Sequence, residues 1–150
     1  MTAIRWAEER DLEQIIVLCQ EHANYEKADY EIEDQYERLS GHLFGESPSL
    51  KCLVVETDGA MVGYATFMKQ FSTWEASHYL YLDCLYLREA ARGKGWGVEV
   101  MEKVREYATA ENCQVVQWQT PAFNKAAIHF YQKIGGHATT KERFFWHLQS

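Results

Sequence analysis

The chain has 150 residues, enough to bury one core, and 47% of them are apolar, which excludes a disordered or low-complexity protein. A formal net charge of −7 argues against nucleic acid as the main partner; it favours a cationic ligand only slightly, because acidic surfaces also serve solubility. No apolar run approaches a membrane span, and the first residues hold no apolar signal segment, so a cytoplasmic protein with no membrane partner is expected. Cys19, Cys52, Cys84 and Cys113 are scattered, with no Cys-x-x-Cys pair and no histidine at ligand spacing, so no metal is expected.

In chain order, residues 4–7 read as a first strand. Asp11 is a candidate N-cap, with Gln14 completing a capping box, and Leu12, Ile15, Ile16 and Cys19 repeat at helical spacing behind it. A more polar helix is predicted over 33–43, followed by a loop. Residues 51–57 and 61–69 are β-rich runs joined by Asp58-Gly59, a hairpin signal. Residues 70–77 read as a polar loop carrying Trp74, and 78–87 as the most apolar strand, covered on both faces. A helix over 97–110 places Gly97, Met101, Val104 and Ala108 inward. A strand over 115–120, a helix capped by Asn124 and ended by Gly135-Gly136, and a last strand over 142–148 complete one mixed α/β domain.

The segment Arg92-Gly93-Lys94-Gly95-Trp96-Gly97 lies between the apolar strand and a helix. Glycines admit backbone conformations closed to other residues, so successive N–H groups converge on an anion beside the positive end of the helix dipole. Arg88, Arg92 and Lys94 stand against Glu89 alone, a local excess of positive charge in an acidic chain. By itself the segment is equally compatible with a plain strand–helix connection. It lacks the Gly-Lys-Ser/Thr ending of a P-loop, and it lies too late in the chain for a dinucleotide fingerprint.

Arg92-x-x-Gly95-x-Gly97 resembles the acyl-CoA pyrophosphate motif of the GNAT superfamily. Tyr25-Glu26, Phe44-Gly45-Glu46-x-Pro48, Tyr81-Leu82-Asp83 and Asn124-x-x-Ala127-Ile128-x-Phe130-Tyr131 follow in the order found in its diamine (spermidine/spermine and thialysine) acetyltransferase group. The resemblance implies a mostly antiparallel twisted sheet of six or seven strands, with helices on both faces and one splayed parallel pair. It implies acetyl-CoA as co-substrate, a small-molecule amine as acceptor, and a homodimer. It places CoA at Leu85, Tyr86, Leu87, Arg92, Gly93, Lys94, Gly95, Trp96, Gly97, Asn124 and Tyr131. It places the acceptor at Tyr25, Glu26, Trp74, Asp83 and Cys84.

The chemistry gives these positions roles. An alkylamine attacks only when unprotonated, which at neutral pH is roughly one molecule in a few thousand. Asp83 is the carboxylate inside the apolar strand, where burial would make it a stronger base than a free aspartate. The group carries the longer Glu here, so transfer through a water is the expected route. Tyr131 matches the tyrosine that protonates the departing thiolate, and an N–H near Leu85, exposed by a β-bulge, would hold the oxyanion. The group's second acidic residue is replaced by Cys84, and another in the 70–77 loop by Ser72, which points away from long polyamines. Cys84 as an acyl-accepting nucleophile is a lesser alternative. Two other functions stay open: acetylation of a protein N-terminus or lysine, which predicts an open groove, and CoA binding without turnover.

Overall fold

In the computed structural model, residues 1–31 and 33–148 are described. The chain divides into two compact units, Met1–Gln119 and Thr120–Ser150. The first unit holds a five-stranded sheet in sequential order, β1 (Thr2–Trp6), β2 (Lys51–Thr57), β3 (Ala60–Ser72), β4 (Ser77–Leu87) and β5 (Val116–Gln117). The first four pair antiparallel, and β4–β5 is the parallel pair. The β2–β3 hairpin turns on Asp58 and Gly59, both at positive φ (51° and 82°), as a two-residue turn matching the strand twist requires.

Alternating side chains of the sheet supply two cores. Cys52, Val54, Met61 and Tyr64 pack with Leu12, Ile15, Ile16 and Leu18 of α1 (Leu12–Tyr25) and Leu43 of α2 (Gln35–Phe44). On the other face Phe67 meets Trp6 and Tyr107, the latter from α3 (Trp96–Ala110). The expected inner stripe of α3 holds: Gly97, Met101, Val104 and Ala108 are buried, joined by Val100.

Several expectations need correction. Asp11 does not cap α1 in a box with Gln14. Its carboxylate, 3% exposed, takes both guanidinium nitrogens of Arg5 at 2.7 and 3.0 Å and the Glu8 N–H at 2.7 Å. Arg5 holds the Asp11 carboxyl below the usual carboxylate range even though burial pushes the other way. The capping box sits one turn earlier, between Glu8 and Asp11. The loop expected over 70–77 shrinks to a turn over 73–76: β3 runs to Ser72 and β4 starts at Ser77, because Phe71 and His78 extend the ladder. The sheet has five strands among the described residues, not six or seven. The strand expected over 115–120 shrinks to Val116–Gln117, and residues 142–148 form no strand. β propensity in Phe144-Phe145-Trp146 makes a strand only where a partner strand supplies the ladder. Phe144, Trp146 and Leu148 are instead exposed.

The second unit is built on α4 (Lys125–Lys133). Asn124 caps it as expected, its side-chain oxygen accepting from the Ala127 N–H at 3.2 Å. Gly135, at φ 102°, ends it as the Gly136 N–H turns back to the Tyr131 carbonyl.

Candidate active site

The central feature is a break in the β3–β4 ladder. Thr66 pairs with Cys84 and Phe67 with Leu82, which leaves Asp83 as an extra, unpaired residue: the bulge expected in this strand. Its placement overturns one expectation. Asp83 is exposed rather than buried, because the bulge lifts it out of the ladder that would have covered it.

The bulge also fixes which peptide groups of β4 face outward. The Arg88 N–H bonds to the Val62 carbonyl, so Val62–Arg88 is a hydrogen-bonded pair. Alternation along an antiparallel ladder makes Tyr64–Tyr86 and Thr66–Cys84 the next such pairs. Leu85 and Leu87 therefore turn their N–H and C=O groups away from β3. On that side the ladder to β5 consists of Leu80–Val116 and Tyr81–Gln117 only, so no described strand pairs with β4 at Leu85 or Leu87. The parallel strands part where the resemblance requires them to.

The glycine-rich turn follows at once. Gly93 and Gly95 sit at φ 76° and 86°, and no atom lies within 4 Å of the position a β-carbon would take on either. The turn is open to a ligand and strained for any side chain. Gly95 is the N-cap of α3, so the first N–H groups of that helix are presented at the turn. Arg92 spends its Nε–H on the Leu87 carbonyl at 2.8 Å, with its guanidinium 4.6 Å from the Tyr25 ring centre and 5.7 Å from that of Tyr86. It ties the turn to the strand. The Lys94 ammonium lies 5.5 Å from the Trp96 ring. Behind β4, a β-carbon on Gly63 would meet a Leu87 methyl and the Tyr86 carbonyl, so a glycine there lets β3 and β4 close together.

Beside Asp83, Cys84 places its Sγ 3.9 Å from the Asp83 carboxylate. Burial, reinforced by that charge, pushes the Cys84 thiol up to about 12. It stays protonated near neutrality, which argues against the nucleophile alternative.

On the α1 side, Tyr25 and Glu26 stand at the C-terminal end of that helix. Tyr25 packs against Tyr86 with ring centres 6.2 Å apart. Glu26 accepts from His22, whose other ring nitrogen is bonded to the Tyr64 hydroxyl. Arg88 binds Glu21 through two bonds at 2.9 and 3.0 Å, fastening β4 to α1. Sequence reasoning missed His22, Tyr64 and Glu21. Only the i,i+4 spacing of His22 and Glu26 on a predicted helix signalled any of them. Trp74, expected in the acceptor pocket with Tyr25 and Glu26, is 94% exposed at the β3–β4 turn and closes no pocket among the described residues. A two-stranded turn projecting past the sheet gives it nothing to pack on. The structure thus assembles Tyr25, Glu26, Tyr86 and Arg92, and Asp83 with Cys84, but leaves Trp74 apart. Asn124 caps α4 and Tyr131 lies within it, its ring 5.4 Å from that of Phe130 and tilted by 59°.

Residues 10–136 match the family model for the acetyltransferase (GNAT) family. Thialysine N-epsilon-acetyltransferase of Bos taurus is 33% identical, covering 96% of this chain and 88% of that protein. The spermidine/spermine N(1)-acetyltransferase-like protein 1 of Homo sapiens is 28% identical over 97% of this chain and 22% of its own length. Among solved structures, a transcriptional regulator from Bacillus halodurans C-125 superposes with a TM-score of 0.83 at 22% identity, covering 98% of this chain and 100% of that one. Aminoglycoside N-acetyltransferase AAC(6')-Iy, solved with CoA, gives 0.78 at 16% identity over 98% and 95%. At those identities the structural likeness speaks to fold alone.

Proposed function

The chain belongs to the GNAT acetyltransferase family, and from that premise we propose that it transfers acetyl from acetyl-CoA to the primary amine of a small molecule. The observation that carries this reading is the run of outward-facing peptide groups at Leu85 and Leu87 leading straight into the open turn at Gly93 and Gly95. The pantetheine arm of CoA carries amides and its other end a pyrophosphate. Strand-like pairing with β4 suits the first, and the turn with the N-terminus of α3 suits the second.

In this reading the Leu85 N–H receives the oxyanion of the tetrahedral intermediate. Asp83, exposed at the bulge, takes the proton of the attacking ammonium through a water. Tyr131 returns a proton to the thiolate; a thiol near 8.5 and a phenol near 10 are matched well enough for that exchange. Its assignment rests on the family pattern around Asn124. Glu26 and the Tyr25 ring receive the cationic tail of the acceptor by charge and cation–π attraction. The thialysine acetyltransferase relatives support an amino-acid-like or diamine acceptor. The homodimer is a further proposal, supported by the exposed Phe144, Trp146 and Leu148, which a second copy would cover.

A second reading has two observations in its favour. Trp74 closes no pocket among the described residues and Asp83 is exposed, which suits an open groove for a peptide amine. Thiol release from acetyl-CoA, followed with diamines, thialysine-like amino acids and peptides, separates the two. Acceleration by small amines supports the first reading. Acceleration by peptides alone replaces it with the second, and acceleration by no acceptor leaves CoA binding without turnover.

A further inference from the structure

Sequence reasoning assigned no role to any of the six histidines, yet His22 stands at the centre of a half-buried hydrogen-bonded set. Its Nε2 lies 2.9 Å from Glu26 Oε2, and its Nδ1 lies 2.9 Å from the Tyr64 hydroxyl. The ring stacks on Tyr86 at 5.2 Å with the planes 20° apart, which fixes its orientation. The His22 side chain is 12% exposed and that of Glu26 30%.

The donor and acceptor roles follow from the partners. A carboxylate only accepts, so Nε2 carries a proton toward Glu26. While the ring is neutral, Nδ1 accepts from the Tyr64 hydroxyl. When the ring takes a second proton, Nδ1 donates instead, and the Tyr64 hydroxyl must turn its own hydrogen elsewhere. Cys19 and Cys84 are among the groups that interact with the Tyr64 hydroxyl. Burial pushes the ionisation of Tyr64 far up, so it remains a phenol throughout. The set therefore accommodates both charge states of the ring without moving Glu26.

What changes is the charge beside Glu26. The ring touches Glu26 on α1, Tyr64 on β3 and Tyr86 on β4; through Tyr86 it is linked to Glu21 and Tyr25 on α1 and to Arg92 in the turn, and through Glu21 to Arg88 on β4. Arg88 is matched by Glu21, which also accepts from the Tyr86 hydroxyl at 3.4 Å. Arg92 lies over the Tyr25 and Tyr86 rings. Glu26 is the carboxylate that His22 binds. An imidazolium there neutralises it, and a cationic ligand on its exposed side must compete with that neutralisation.

We propose that His22 is a positioning residue that makes acceptor choice depend on pH: neutral, it presents Glu26 to the second ammonium of a diamine-type acceptor, and protonated, it competes with that ammonium. The proposal rests on the reading of Glu26 as the acceptor's cation site. Histidine is the side chain suited to such a change near neutrality.

The test compares 1,4-diaminobutane with butylamine, which has the same chain but no second ammonium, from pH 8.0 to 5.5. The ratio of their KM values cancels the protonation of the attacking amine to first order. In the native protein, diamine KM relative to monoamine KM rises about fivefold on acidification, the low end of a typical coupling between two ligands. His22→Gln keeps a hydrogen bond to Glu26 but does not titrate, and its ratio stays flat. A ratio that rises as in the native protein overturns the proposal. Glu26→Gln separates the two levels: an unchanged diamine KM removes the Glu26 assignment and the His22 role with it. A raised KM beside a native-like His22→Gln profile removes the His22 role alone. If His22→Gln does not fold, the His22 ring is followed by NMR in the native protein. Saturating diamine moves its proton uptake to lower pH, by the reciprocity of linked binding, and an unmoved ring overturns the proposal.

Discussion

The two sides of β4 offer a ligand different kinds of group. Toward the turn, from Leu85 to the start of α3, the groups on offer are backbone: outward peptide units, two glycines at positive φ and the N-terminus of a helix. Toward α1 and the bulge they are side chains drawn from separate elements, Tyr25 and Glu26 from one helix, Asp83 and Cys84 from one strand, His22 and Tyr64 behind them. A donor shared by a whole family suits the first arrangement. An acceptor that differs from member to member suits the second, because side chains change without disturbing the backbone that holds the donor.

The sharpest way to break that comparison is Gly95→Val. A branched side chain at φ 86° strains the turn and fills the open space above it. Acetyl-CoA affinity falls by roughly a hundredfold or more, about the loss of 3 kcal/mol, in a chain whose circular dichroism is unchanged. Calorimetric titration checks it, and retained affinity refutes the backbone account of the donor site. Tyr131→Phe tests the chemistry rather than the binding: kcat drops by about a hundredfold while acetyl-CoA affinity is kept. Asp83→Asn lowers kcat/KM by about tenfold, less than a buried base would cost, because solvent reaches the bulge and supplies other proton acceptors. An unchanged rate there removes Asp83 from the mechanism. Arg88→Gln gives the smallest effect. The Arg88–Glu21 pair is more than a third exposed on both sides, so its loss costs about 0.5 kcal/mol of stability and leaves donor affinity alone. A thermal melt beside the same titration measures both.

The glycine-rich turn was the more legible region for the same physical reason. Backbone recognition needs glycines at fixed spacing, and Gly93, Gly95 and Gly97 carry that requirement in the sequence itself. The Asp58-Gly59 turn, the Asn124 cap and the inner stripe of α3 were legible likewise, since each depends on neighbours a few residues apart. The acceptor region was not. Trp74 is placed in the pocket by the resemblance, and the extent of β3 past Lys69, which sets it on a turn, is not visible in the sequence. Asp83 looked buried because an apolar run gives no sign of the bulge that lifts it out. His22 and Tyr64 are 42 residues apart, and only folding brings them together. The last strand over 142–148 failed in the same way: three adjacent aromatics state a preference, and a ladder needs a partner.

Amide hydrogen exchange resolved by residue tests the central claim most directly. Cys84 and Tyr86 donate into the ladder with β3, so their amides are slow to exchange with or without acetyl-CoA. Leu85 and Leu87 point the other way, so theirs are fast in the free protein and become slow when acetyl-CoA is added, together with the amides of Gly95 and Gly97. Leu85 and Leu87 amides that do not respond to acetyl-CoA, in a protein shown to bind it, would contradict the donor site described for β4.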